Sequence, residues 1–232
     1  MNMKKLMILL VGVIMSVAPT FAQFSNVGGS SQSSGGSLVK DCNPYDRVGI
    51  EYLNRSYGDA DMSTNGVGIY YLHGISLSKE LPFFLEIGAK FDAGFWSDTY
   101  YDEWDCSYES KFTSMSLAVP VNIAYKFSFS NGDVSILPYL GLNFKGNLMA
   151  KMKYKFDDGD EYFDDGEEEE SVNFFDKKDV DNTWKRFQLG WHIGAGVNYK
   201  QFYFGLSYGT DFVKIAKKIN TGTFAIGIGV NF

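Results

Sequence analysis

Cysteine is nearly absent from this 232-residue chain: it has two, at Cys42 and Cys106. That is too few for a disulfide scaffold. Histidine is as scarce, with His73 and His192 alone, and no cysteine or histidine pair falls at zinc-ligand spacing. No glycine-rich loop of the phosphate-cradling kind occurs. The residues thus point to no metal and no cofactor. Basic side chains are outnumbered, 21 against 28 acidic ones, giving a net charge of −7. With no basic stripe either, the sequence argues against nucleic-acid binding. Proline numbers only 5, which leaves long segments free to form regular structure. Past the N-terminus, no apolar run reaches the roughly 18 residues that a spanning helix needs.

The N-terminus is different. Lys4 and Lys5 precede "LMILLVGVIMSVA", and "PTFAQ" offers small residues ahead of a cut before Gln23. Residues 1–22 therefore read as a secretory signal peptide, and Gln23 in place of cysteine argues against a lipoprotein. Residues 23–44 begin as a serine- and glycine-rich stretch that has too little apolar surface to fold, a flexible leader. Residues 45–232 suit one domain. Aromatics make up 17% of the chain and glycine numbers 25, a mixture that favours strands with close backbone contacts.

Alternation of bulky apolar with small or polar residues recurs in eight segments, at about 45–55, 66–77, 83–96, 111–128, 135–156, 184–199, 202–213 and 222–232. The sixth sets Phe187, Leu189, Trp191, Ile193, Ala195, Val197 and Tyr199 against Gln188, Gly190, His192, Gly194, Gly196 and Asn198. The last, "FAIGIGVNF", does the same with glycine. Successive strand residues point to opposite faces, so periodicity alone leaves open a secreted sandwich, a lipocalin-like barrel, or a transmembrane barrel with its apolar face to lipid.

Three further features favour the transmembrane barrel. Connections alternate between short ("SKELP", "FSNGDV", "KQ") and long, as periplasmic turns and external loops do. Aromatics gather at strand ends: Tyr45, Phe83, Phe127, Tyr199, Phe202 and Phe232 toward one rim, and Phe95, Phe112, Tyr154, Trp184, Phe212 and Phe224 toward the other. The strand count is even, and closure removes edges that lipid could not satisfy. The expected fold is all-β: an eight-stranded antiparallel up-and-down transmembrane barrel in the outer membrane of a Gram-negative cell, in contact with its lipid.

The segments "LAVPVNIAYKF", "LPYLGLNF", "GWHIGAGVNY" and the terminal "GIGVNF" resemble the outer-membrane protein β-barrel domain family, porin-like barrels that share the OmpA-type architecture. The resemblance covers about residues 45–232. It implies an outer-membrane location and makes Phe232 the signal read by the barrel-assembly machinery. Members include inert structural barrels, adhesion-related barrels and accessory barrels of secretion systems such as the PorT type, so the fold hosts several roles.

Two groups of residues carry the candidate sites. Arg47, Glu51, Arg55, Glu86, Lys90, Asp92, Lys126, Lys145 and Arg186 fall on the lumen phase, where mixed signs would pair. Structural packing is the expectation there, with a proton or ion path as the alternative. The third long loop, residues 157–183, holds 13 acidic residues against two lysines. Asp157, Asp158, Asp160, Glu161, Asp164, Asp165, Glu167, Glu168, Glu169 and Glu170 form its core. A solvated loop is expected, and a docking site for a basic protein partner or for cations is the alternative; Tyr162, Phe163, Phe174 and Phe175 would supply apolar anchors.

A lipid hydrolase would need a serine, a histidine and a carboxylate together. No local motif around His73 or His192 sets these up, so the chain is not expected to be an enzyme. A structural or interaction role with specificity in the external loops is the reading, an accessory barrel for secretion or transport is the alternative, and a lipid hydrolase comes last. Cys42 and Cys106 are placed at opposite rims and are not expected to pair.

Overall fold

A computed structural model describes residues 40–60, 62–101, 107–129, 133–157, 168–181 and 183–232. The expected signal peptide, most of the leader and Cys106 lie outside them, as do Asn131-Gly132 and the acidic residues between 158 and 167.

Ten strands follow one another: β1 (Tyr45–Tyr57), β2 (Met62–Ser76), β3 (Phe83–Tyr101), β4 (Ser107–Tyr125), β5 (Phe127–Phe129), β6 (Val134–Asp157), β7 (Glu168–Asn173), β8 (Phe187–Tyr199), β9 (Phe202–Asp211) and β10 (Thr221–Asn231). Each of the eight predicted segments holds a barrel strand, with bounds shifted by a few residues. β5 continues β4 past a break at Lys126, whose N–H turns to the Pro82 carbonyl at 2.9 Å. Every pairing is antiparallel, and the ring runs β1, β2, β3, β4/β5, β6, β8, β9, β10 and back to β1, eight strands in all.

The terminal stretch is the closing strand. β10 pairs β1 from Arg47↔Asn231 to Tyr57↔Thr221, and Asp46 and Phe232 exchange backbone bonds of 3.0 and 2.9 Å at its end. Pro120 leaves a mark on the ladder as well. The β3–β4 register skips Gly88 and Ala89, opposite Pro120 and Val119, because proline has no N–H to donate.

The outward face is apolar across the middle of the barrel wall. Val48, Ile50, Val67, Ile69, Ile87, Phe91, Leu117, Ile123, Leu140, Leu142, Val197, Phe204 and Ile228 are all solvent-exposed. A soluble sandwich would bury such a set, whereas a barrel in lipid presents it. Among the described residues no helix is long and apolar enough to cross a membrane.

β3, β4 and β6 are much longer than that crossing requires. β6 has 24 residues, and at 3.3–3.4 Å per residue its length is roughly 80 Å. An apolar band of about 25 Å takes up only part of it. A bulge that leaves Leu148 without a partner opposite Met115/Ser116 marks the change. Beyond it the ends of β3, β4 and β6, joined by β7, form a four-stranded fin at the long-loop end.

Residues 168–175 are therefore not part of a plain solvated loop, which corrects the sequence reading for that part of 157–183. Glu168–Asn173 pairs with Lys151–Phe156 of β6. Phe174 and Phe175, read as anchors for a partner, pack inward instead.

Candidate functional site

Four tyrosines crowd the lumen, and glycines on neighbouring strands make the room. A Cβ on Gly194 would lie 2.4 Å from the Tyr139 ring, and one on Gly196 would lie 2.1 Å from Tyr203. The Tyr45 ring fills the space over Gly74, and the Tyr70 hydroxyl that over Gly49. The sequence reading assigned this space to long charged groups. Rings occupy much of it. Tyr45 itself turns inward from the rim girdle where it was placed.

Charged groups fill the space between the rings, in pairs. Arg47 meets Glu86 at 3.2 Å, and Arg55 meets Asp92 at 2.8 Å. Lys90 contacts Glu51, and Lys145 lies 2.5 Å from Asp211. Four cations and four anions make these described lumen pairs neutral in sum. Burial of such groups requires partners beyond one Coulombic contact, and the Arg47–Glu86, Arg55–Asp92 and Lys145–Asp211 pairs have them. Glu86 also accepts from the Tyr45 hydroxyl at 2.6 Å and from the Asn122 amide at 2.9 Å. Asp92 accepts from Ser116 at 2.8 Å. The Arg47 guanidinium stacks 3.7 Å over the Tyr203 ring, a cation–π contact.

Asp211 belongs to this network although the sequence reading missed it. Counting by twos from Tyr203 places it on the lumen phase of β9. Two residues assigned to the lumen lie elsewhere. Arg186 precedes β8, is exposed, and sits 4.5 Å over the Phe175 ring while donating to the Leu148 carbonyl at 3.4 Å. Lys126 stands in the break between β4 and β5 at the short-turn rim, where it pairs with Asp41 beside the Tyr45 ring.

Asp41 lies outside the membrane-spanning strands. Partial burial pushes its carboxyl up, but the Lys126 ammonium and the Asn43 amides outweigh that and hold it below the usual carboxylate range. The leader's last residues are thus tied to the short-turn rim. Cys42, next to this tie, is a free thiol.

Aromatic clusters stand at both ends of the charged layer. Toward the long loops, Tyr57, Phe112, Trp184, Ile215 and Ala216 are buried together, with Trp96, Met152, Phe174 and Phe175 against them. These residues come from most of the ring, so the cluster spans the mouth. Phe112 and Trp184, expected in the outer girdle, point into this cluster. Tyr57 stacks on Trp184 with ring centroids 5.4 Å apart. Toward the short turns, Tyr45, Phe84, Ala124 and Leu137 form a second cluster.

Between them is a cavity of about 100 Å³, room for a few waters. The His192 ring borders it. Nε2 of His192 lies 2.8 Å from Asn122 Oδ1, and the Asn122 amide is committed to Glu86, so Nε2 carries the hydrogen. Nδ1 of His192 is then a buried acceptor for which the described residues supply no hydrogen bond. His73 is on the outer wall, 2.8 Å from Asp46, which also accepts from the Tyr71 hydroxyl. Among the described residues, no serine hydroxyl bonds either imidazole and no group of His, Cys, Asp and Glu is placed to hold a metal.

Of the acidic residues read as a partner or cation site, Asp157 ends β6 and Glu168, Glu169 and Glu170 belong to β7. Asp158, Asp160, Glu161, Asp164, Asp165 and Glu167 lie outside the described residues. Phe232 is exposed at the end of the closing strand.

Comparison with solved structures finds distant likenesses to outer-membrane proteins. Ail, the attachment invasion locus protein of Yersinia pestis, solved with the heparin analogue sucrose octasulfate, is 14% identical; the match covers 82% of this chain and 97% of Ail at a TM-score of 0.36. Neisserial surface protein A is 14% identical over 86% of this chain and 100% of its own, at 0.38. The outer membrane enzyme PagL is 10% identical over 79% and 98%, at 0.43. Likenesses this distant carry no role across. No curated protein matches in sequence. A profile of the outer membrane protein beta-barrel domain matches residues 47–212, most of the chain, and by that match the protein belongs to the outer membrane β-barrel domain family.

Proposed function

We propose that this outer-membrane barrel is a non-enzymatic structural and interaction protein whose specificity resides in its external fin and loops. The observation that carries the reading is the filled lumen: four neutralised ion pairs between two aromatic clusters, with a central cavity of about 100 Å³. Ligand pockets occupy about 300–1,000 Å³, so this interior has room for water and little more. The fin, by contrast, presents side chains and backbone to the exterior.

Site-specific photocrosslinking in intact outer membranes tests the proposal. A crosslinker at Tyr101 on the fin should capture a defined partner, and one at Lys200 in the short turn between β8 and β9 should not. Capture through Lys200 alone would instead favour an accessory barrel serving machinery on the periplasmic side. Hydrolysis of outer-membrane lipid by the purified protein, abolished by His192→Ala, would overturn the non-enzymatic reading.

A further inference from the structure

The fin has a face that the barrel does not use, and beside it the outer edge of β3. On β3, Trp96 faces the mouth cluster, so Asp98 and Tyr100 continue on the same face. On β4, Phe112 does the same, and Ser110 and Tyr108 follow it outward. The register sets Tyr100 opposite Tyr108, Ser110 opposite Tyr154, and Tyr154 opposite Glu170. Tyr100, Tyr108 and Tyr154 are 67%, 46% and 42% exposed. An aromatic surface therefore rises out of the buried cluster, with a carboxylate on either flank at Asp98 and Glu170.

The edge lies beside it. β2 pairs with β3 only as far as Asn65↔Phe95, while β3 continues to Tyr101 against β4. Among the described residues, Ser97–Tyr101 pairs on one side alone. Natural edges are blunted by lysine, proline or bulges. "SDTYY" contains none of these and is exposed throughout.

From this edge and this face together we infer that the fin receives an extended cationic segment of a partner protein, added as a strand along Ser97–Tyr101. This rests on the interaction role proposed above. A strand added here would align its backbone with the open side of β3 and place alternate side chains next to Asp98 and Tyr100. Lysine or arginine at those positions would pair with Asp98 and lie over the tyrosine rings. Charge selects the occupant. Ser97–Tyr101 carries one charged group, the exposed Asp98, so a second copy would set carboxylate against carboxylate there, and phosphate-bearing headgroups would meet like charge.

Fluorescence anisotropy with the full chain in zwitterionic nanodiscs tests it, using a short blocked peptide that alternates threonine and lysine. Binding should weaken with salt and vanish when glutamate replaces lysine. Methylating alternate backbone amides of the peptide keeps its charge but blocks strand addition, and should remove binding. Tyr100→Ala and Asp98→Asn, both at exposed positions, should each weaken it by about three- to tenfold while keeping heat-modifiable migration. Equal binding of the methylated peptide would overturn strand addition. Equal binding by both variants, or binding only of a neutral oligosaccharide, would overturn the site. Partner capture through Tyr101 is independent of this peptide, so failure here leaves the broader reading standing.

Discussion

Asp41 and Glu86 show how differently two carboxylates act in one molecule. Asp41 tethers the leader to Lys126 at the rim, and its folded-state pKa is lowered. A lowered carboxyl contributes stability above its unfolded pKa, and that contribution fades as pH falls through the folded value. A spin label on Cys42 should therefore report constant restraint from neutral pH down to about 4 and lose it below. Asp41→Asn should show the mobile signal at every pH, and an unchanged spectrum in that variant would refute the tether. Glu86, fully buried, holds Arg47, Tyr45 and Asn122 at once. Glu86→Ala should cost about 3–5 kcal/mol, because it leaves a buried guanidinium unpaired. Arg47→Met combined with Glu86→Met should recover part of that loss and not all of it, since Tyr45 and Asn122 still lose their acceptor. Urea unfolding of the two variants and the parent protein in micelles would measure both steps.

At the scale of the strand, alternation was legible because a wall with lipid outside and polar groups inside writes a clean period of two. What a strand does past the membrane was not. The pattern around Lys151 continues without a break across the Leu148 bulge, and nothing local marks where the bilayer stops. Nor could the lumen pairs be matched from the chain. Arg47 stands beside Leu72 and Asn231 on the ladder, while Glu86, its ion partner, stands beside Gly74, two strands from β1. Contacts across the bore depend on strand stagger, which the alternation does not encode. Trp184 was misplaced for a related reason: it lies just before β8, where the strand's phase no longer decides which way a side chain points. These elements still separate cleanly. The barrel part of β6 pairs β8 from Val134↔Tyr199 to Gly146↔Phe187 without help from β7, and loop length affects closure entropy only slowly. Replacing residues 157–183 with a short Gly-Asn turn should preserve insertion and heat-modifiable migration. Stability should drop, because Phe174 and Phe175 leave the mouth cluster. Trp184→Ala alone, which leaves the loop in place, should cost about 3–5 kcal/mol. A variant lacking the loop that fails to insert would show that the external segment helps the barrel to form.

For the whole molecule, the decisive quantity is how easily an ion crosses the lumen. Eight strands enclose a bore that side chains can fill, and water-filled channels belong to barrels of about 16–18 strands. Here tyrosines fill the space that glycines concede, and each buried charge faces an opposite one. An ion entering must displace a partner from a pair held at low dielectric, which costs far more than separating a surface pair. The mouth cluster is a second barrier in series, and the Tyr45–Phe84 cluster a third. Removing one barrier leaves the others, so purified protein in planar bilayers should show no steady conductance steps, even after residues 157–183 are excised. Asp92→Ala and Asp211→Ala together would free Arg55 and Lys145, leave net positive charge in the bore, and make any residual leak favour anions. Large, stable steps from the intact monomer would show that the pairs and rings yield far more readily than their geometry implies.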